Sequence, residues 1–246
     1  MLKTITQKVL PISLLIIIAL QGCSIHHNPD SPQDPYEKYN RAMFKFNKVV
    51  DKVAMQPVAV AYNKFIPSPV KTGVSNVFDN IYETSVMAND LLQGKFLDFI
   101  SSTWRLILNS TVGVAGLFDV AKHVGLPKQE QDFGKTLAIW GDIDSPYFVI
   151  PIFGPSTVRD ASGFIFDYNI FNVMPHTKPL YLRNTLYGMQ LVDLRYRLLG
   201  ADRIANAAAV DEYLFVRNAY LQYRKNQLVK ANIIEDTDEE DDIYVE

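Results

Sequence analysis

Apolar residues recur along most of this 246-residue chain at the three- and four-residue steps of an α-helix. Tyr36, Tyr39, Met43, Phe46, Val50 and Val53 form the first such stripe. Asp34-Pro35-Tyr36-Glu37 before it reads as a helix start, with Asp34 at the N-cap, Pro35 at the first helical position and Glu37 at the third. Pro57 should break or bend that helix. Pro67-Ser68-Pro69 is a turn signal that opens a second stripe, Val70, Val74, Val77 and Ile81. Residues 83–93 and 95–109 read as two further helices parted by Gly94, and 181–199 and 210–229 as two long ones separated near Gly200. Only Tyr147-Phe148-Val149-Ile150 is strand-like, and Pro146 and Pro151 bracket it tightly enough to predict no sheet. The expected fold class is all-α, with many short and medium helices and no internal repeat.

One segment departs from a single stripe. Phe96, Leu97, Phe99, Ile100, Trp104, Leu106, Ile107 and Leu108 cover most of a helix surface. A helix of that kind is buried on all sides or meets lipid.

The ends of the chain follow other rules. Lys3 and Lys8 precede an uncharged apolar run over 10–20. Eleven helical residues rise only ~16 Å, short of a ~30 Å hydrocarbon core, so the run reads as a secretory signal rather than a membrane span. Leu20-Gln21-Gly22-Cys23 follows, holding the only cysteine. It resembles the bacterial lipobox. That resemblance implies cleavage before Cys23, lipidation of its thiol and acylation of the new N-terminus. Each buried CH₂ contributes ~0.8 kcal/mol and stable anchoring takes more than one chain, so three acyl chains suffice. Ser24, where an Asp would mark inner-membrane retention in enteric-type lipoproteins, implies the outer membrane.

The chain thus divides into a removed signal (1–22), an acylated N-terminus and polar tether (23–34), a helical body (35–230) and an acidic tail (231–246). The formal charge of −3 averages unlike pieces. Loss of Lys3 and Lys8 leaves 22 basic residues, and without the eight acids of 235–246 there remain 19 acidic ones, so tether and body together carry about +3. The total of −3 argues against a bulk nucleic-acid binder, and the mild basic excess suits an anionic bilayer surface without deciding it. One cysteine excludes an intramolecular disulfide framework and a multi-cysteine metal site.

A search for catalytic chemistry returns little. There is no zincin helix and no nucleophile elbow. Gly134-Lys135-Thr136 imitates the end of a phosphate-binding loop, but Gln129 stands where its first glycine belongs. Ser68 and Lys71 fit a Ser-x-x-Lys pattern without its companion motifs. His26 and His27 sit on the tether, and His123 and His176 have no evident acid and nucleophile beside them. Asp132, Asp142 and Asp144 lie among Gly, Pro and Ser, where Asp makes turns and caps. No cofactor, no metal site and no enzyme is expected.

Ordered motifs point elsewhere. Asp34-Pro35-Tyr36-Glu37, Asn40-Arg41 and Phe44-Lys45-Phe46-Asn47 are followed by Pro57-Val58-Ala59, Leu92-Gln93-Gly94 and Asn109-Ser110-Thr111-Val112-Gly113. Then come Gly116-Leu117-Phe118-Asp119-Val120-Ala121, Asp132-Phe133-Gly134, Trp140-Gly141, Pro146-Tyr147, Gly154-Pro155-Ser156 with Arg159-Asp160, and Tyr213-Leu214-Phe215-Val216-Arg217 with Ala219-Tyr220. In this order, across about 34–229, they resemble the MlaA/VacJ family of outer-membrane lipoproteins. Gln56, Ser145 and Glu212 depart locally from its pattern.

The resemblance implies a ring of helices around an amphipathic channel, embedded in the inner leaflet of the outer membrane. Mislocalised phospholipid would leave the outer leaflet through it, pass to a soluble periplasmic carrier and so maintain lipid asymmetry. A trimeric porin is the implied membrane partner. Asn47, Arg105, Asn109, Arg159 and Arg183 are the expected head-group or channel contacts, since the Arg fork suits phosphate. Two other readings stay open: a membrane-anchored lipid hydrolase, and a structural porin-associated lipoprotein.

Overall fold

A computed structural model of the chain describes residues 33–208 and 211–234. Cys23, the signal peptide, His26, His27 and the acidic run 235–246 lie outside the described residues.

The body is mainly helical. Helix α1 (Glu37–Val50) continues through a π-turn (Asp51–Met55) into α2 (Gln56–Phe65). Pro57, in the first turn of α2, therefore bends the rod without ending it, because the wider turn absorbs the missing donor. The turn at Pro67 opens α3 (Ser68–Leu92), one 25-residue helix where two were expected. Gly94 at φ +72° stops it: the Lys95 amide donates to the Asp90 carbonyl and the chain reverses into α4 (Phe96–Thr111). The short helices α5 (Val120–His123) and α6 (Phe133–Ile139) follow, each capped by its own Asp, Asp119 and Asp132.

Next come β1 (Tyr147–Ile150) and β2 (Gly154–Thr157), then α7 (Val158–Phe166) with a π-turn (Asp167–Phe171). Helices α8 (Leu180–Ala208), which runs straight through Gly200, and α9 (Glu212–Lys230) complete the body. Helix α3 packs along α4, α6 on α7, and α2 on α8.

The strand-like segment does form a sheet, which corrects the sequence expectation. Strands β1 and β2 pair antiparallel, Tyr147 opposite Thr157 and Ile150 opposite Gly154. Pro151 sits in the turn, outside the ladder, with Ile152 at φ +71° and Gly154 at φ +97°. The hairpin is held by α1. Asn40 donates to the Tyr147 carbonyl (3.0 Å) and accepts from the Val149 amide (2.9 Å). Asn47 donates to the Ile150 carbonyl (2.9 Å) and accepts from the Ile152 amide (2.6 Å). Seven helical residues rise about 10 Å and three strand residues advance about 10 Å, so two asparagines on one helix face meet successive strand sites.

Asp34 does not cap α1, a second correction. It is fully buried and accepts from Asn40 (2.8 Å), from the Tyr213 hydroxyl and from Arg217 (3.1 Å). Two donors from α9, joined by Asn40, outcompete the local helix start. Beside it lies a small apolar core of Tyr147, Val149 and Tyr213.

The rest of the interior is inverted. Among the described residues, eleven buried side chains are hydrophobic and twenty-two are polar or charged. On α4, Ser102, Arg105 and Asn109 are buried while Leu97 is 83% exposed and Phe96 66%. Val53, Phe65, Phe118, Ile165 and Tyr181 are also well exposed. A fold with polar side chains inward and large apolar ones outward is not built for water on all sides.

Candidate functional site

A cavity of about 410 Å³ lies where α3, α6, the hairpin, α7, α8 and α9 converge. Its lining includes apolar side chains: Phe78, Ile150, Phe153, Phe164, Leu191 and Leu194. It also includes carboxylates and two arginines: Asp79, Asp132, Asp160, Asp167, Asp193, Arg197 and Arg224. A second cavity of about 250 Å³ adjoins it, bordered by Lys128, Glu130, Gln131, Tyr223 and Gln227. Four residues border both: Tyr82, Asp132, Tyr220 and Arg224. They form the partition between the two spaces.

Helix periodicity delivers these groups. On α9, Tyr213, Tyr220, Arg224 and Gln227 follow each other at seven, four and three residues, one inward stripe. Arg224 is its hub. Its Nη1 and Nη2 donate to the two Asp132 oxygens (2.8 and 3.0 Å), and Nη2 also reaches Asp160 (2.7 Å). Tyr220 donates to the other Asp160 oxygen (2.9 Å) and Tyr82 to the Gln131 carbonyl (3.3 Å).

Backbone makes room for the cluster. A Cβ on Gly134 would stand 2.3 Å from an Asp160 oxygen and 2.9 Å from Arg224 Nη2. On Gly163 it would stand 2.5 Å from the Gly134 nitrogen. Two glycines thus let α6 and α7 close over the ion pairs.

The electrostatics follow from burial and pairing. Burial acts to raise Asp132, yet Arg224 beside it holds its carboxyl below the usual range. Burial acts to lower Arg224, and its two carboxylates raise it. Burial pushes the Tyr82 phenol well above its ordinary value. Asp167 is also raised by burial, although Ser85, the Phe133 amide and Asn89 donate to it. The result is an amphipathic chamber whose polar groups are held by paired charges.

The residues singled out from sequence occupy other places. None of Asn47, Arg105, Asn109, Arg159 and Arg183 borders either cavity. Asn47 clamps the hairpin turn. Arg105, 2% exposed, pairs with Glu83 (2.7 Å) and donates to the Leu126 carbonyl (2.6 Å). Asn109 donates to Asp119 (3.0 Å) and accepts from the Ala121 amide (2.9 Å). Arg159 adjoins the chamber through its partner, pairing with Asp160 (3.1 Å) and donating to the Asp142 and Ile143 carbonyls. Half-buried Arg183 reaches the Pro175 carbonyl (3.4 Å).

Other expectations also find their places. Asp132 caps α6 as a turn-forming Asp would, and in addition lines the chamber. Lys71 turns to Asn63 Oδ1 (2.7 Å), and exposed His123 lies 2.9 Å from the Asp119 carbonyl through Nδ1. Lys135 donates to the Glu130 carbonyl. Sequence reasoning missed Tyr82, Gln131 and Arg224; the stripe shared with Tyr213 and Tyr220 was the signal for the last.

Comparison with known proteins gives consistent matches. The family model described as MlaA lipoprotein matches residues 32–227. The intermembrane phospholipid transport system lipoprotein MlaA of Escherichia coli is 34% identical over 211 residues, covering 82% of each chain. An uncharacterised protein of Rickettsia typhi is 36% identical over 193 residues, 78% of this chain and 76% of that one. A solved structure described under "Structural basis for maintenance of bacterial outer membrane lipid asymmetry" aligns with a TM-score of 0.66 and 32% identity, over 77% of this chain and 96% of that one.

Proposed function

Because the chain belongs to the MlaA lipoprotein family, we propose that it is an outer-membrane lipoprotein that moves mislocalised phospholipid out of the outer leaflet, the amphipathic chamber being part of its route. The observation that carries this reading is the inverted burial: polar groups turned inward around the chamber, apolar side chains turned out.

The physics is direct. A head group crossing hydrocarbon loses its water, which is costly unless polar partners replace it. The charged lining residues supply partners, and the Phe and Leu side chains accept acyl chain. No described helix is long and apolar enough to cross a membrane. The reading therefore seats the body in one leaflet, held by acylation at Cys23. Fully burying a large apolar side chain contributes ~1.5–3 kcal/mol, so the exposed Phe96, Leu97, Ile100, Trp104 and Ile107 together favour that seat by roughly 4–9 kcal/mol. The same surface suits a trimeric porin, and a soluble periplasmic carrier would receive the lipid. Transfer down a gradient requires no bond-making step, so the chain needs no catalytic residue.

The test is complementation. Deletion of the gene is expected to raise phospholipid accessible to added phospholipase at the cell surface, and to lower detergent resistance. Wild-type protein restores both. A Leu191→Trp variant, which fills the chamber, is expected to fold and anchor but not restore them. Full restoration by that variant would remove the chamber from the route. Fatty acid released from lipid by purified protein would replace transport with hydrolysis.

A further inference from the structure

Two residues bordering the smaller cavity each hold an unanswered hydrogen-bonding atom just behind its wall. Arg224 Nε, a donor, and Gln131 Oε1, an acceptor, are buried without a partner among the described residues. Both residues are 7% exposed and both border this space. Leaving one such group unsatisfied costs about 1–3 kcal/mol. A ligand that answers both must offer an acceptor and a donor together.

The charges agree. Lys128 and Arg224 face Glu130 and Asp132 around the cavity, two of each sign. An anion entering alone would draw Arg224 from Asp132 and leave that half-buried carboxylate without its arginine, and a lone cation on Asp132 would leave Arg224 with Asp160 alone. A head group with a phosphate and a primary ammonium does neither. Its phosphate takes the Arg224 fork and the Nε–H, and its ammonium takes Asp132 and Gln131 Oε1. The Arg224–Asp132 pair is exchanged, Asp160 keeps Arg159, and no net charge is added.

We propose that the smaller cavity is a head-group subsite selective for zwitterionic aminophospholipids, the acyl chains lying across the Tyr82–Asp132–Tyr220–Arg224 partition in the amphipathic chamber. The inference rests on the transport reading and adds to it which lipid is preferred and where its head is held.

The test offers full-length acylated protein in detergent an equimolar mixture of phosphatidylethanolamine and phosphatidylglycerol with identical acyl chains, and counts bound lipid by native mass spectrometry. The ethanolamine lipid is expected to exceed the glycerol lipid about tenfold, the order set by one stranded buried group. Gln131→Leu, which removes the free acceptor and no ion pair, is expected to reduce the preference about fivefold. The double variant Asp132→Asn/Arg224→Gln should abolish it.

Equal occupancy by the two lipids in wild-type protein overturns the selectivity and leaves the transport reading standing. Uptake of neither overturns both. A preference that survives in both variants overturns the placement in this cavity. Displacement of bound lipid by an equal concentration of free phosphoethanolamine overturns the lipid assignment in favour of a soluble zwitterion. The wild-type comparison decides the question even where the double variant does not fold.

Discussion

Arg105 offers the sharpest test of how this interior works. From sequence it is a phosphate-binding candidate; in the fold its guanidinium, 2% exposed, is engaged by Glu83, 1% exposed, and by the Leu126 carbonyl, with Asp119 at 3.4 Å. Arg105→Met keeps most of the volume and removes the charge. Glu83 then remains buried and charged, with one oxygen already unpartnered. Breaking such a pair from one side costs about 3–5 kcal/mol. Restoring neutrality with Glu83→Gln should return much of that, since neutralising both partners of a buried pair is often close to neutral.

pH supplies an independent check. Burial raises Glu83 even though Arg105 pulls it down. Without Arg105 it rises further, so the folded variant binds a proton that the unfolded chain has released. Stability of Arg105→Met then falls as pH rises above the ordinary carboxylate range and recovers on acidification. The assay is urea unfolding in detergent at pH 5 and pH 7, with lipid binding measured on the folded protein. A variant that unfolds at the wild-type midpoint yet has lost lipid would refute the structural assignment and return Arg105 to the route.

Three further outcomes are expected. Gly134→Ala places a methyl against Asp160 and Arg224 and should cost about 1–3 kcal/mol in denaturant unfolding, with no loss if the partition is loose. Burial lifts Asp90 to about 6, so the folded chain holds a proton that the unfolded one releases. Stability should fall by about 2–3 kcal/mol as pH rises from roughly 4 to 6, and Asp90→Asn should flatten that slope. Asn47→Ala removes both hydrogen bonds to the hairpin turn, at about 1–3 kcal/mol, and should speed hydrogen exchange at Ile152 while leaving lipid binding intact.

Much of the architecture was legible in local signals. The Pro67 turn, Gly94, and the long C-terminal helices follow from short-range backbone preferences that act wherever the residues sit. The ordered motifs from Asp34 to Tyr220 carried the family before any coordinates. Where local signals failed, a distant partner intervened. Asp34 left its helix for Tyr213 and Arg217, and Tyr147–Ile150 became a strand because Asn40 and Asn47 hold it from α1. Arg105 and Arg159 failed to reach the chamber for a related reason: sequence identifies a cation that could meet phosphate, but not the carboxylate that claims it first.

The sequence by itself determined a mostly helical chain and, through its ordered motifs, its place in the MlaA lipoprotein family, because caps, turns and motifs are local. The tertiary structure alone decided which side of each helix faces in. Periodicity separates the Phe96–Leu97–Ile100 face of α4 from its Ser102–Arg105–Asn109 face, and is the same whether the outside is water or hydrocarbon. It also decided the chamber. Tyr82, Asp132, Asp160 and Arg224 are separated by as many as 142 positions, and only packing of α3, α6, α7 and α9 brings their charges within bonding distance.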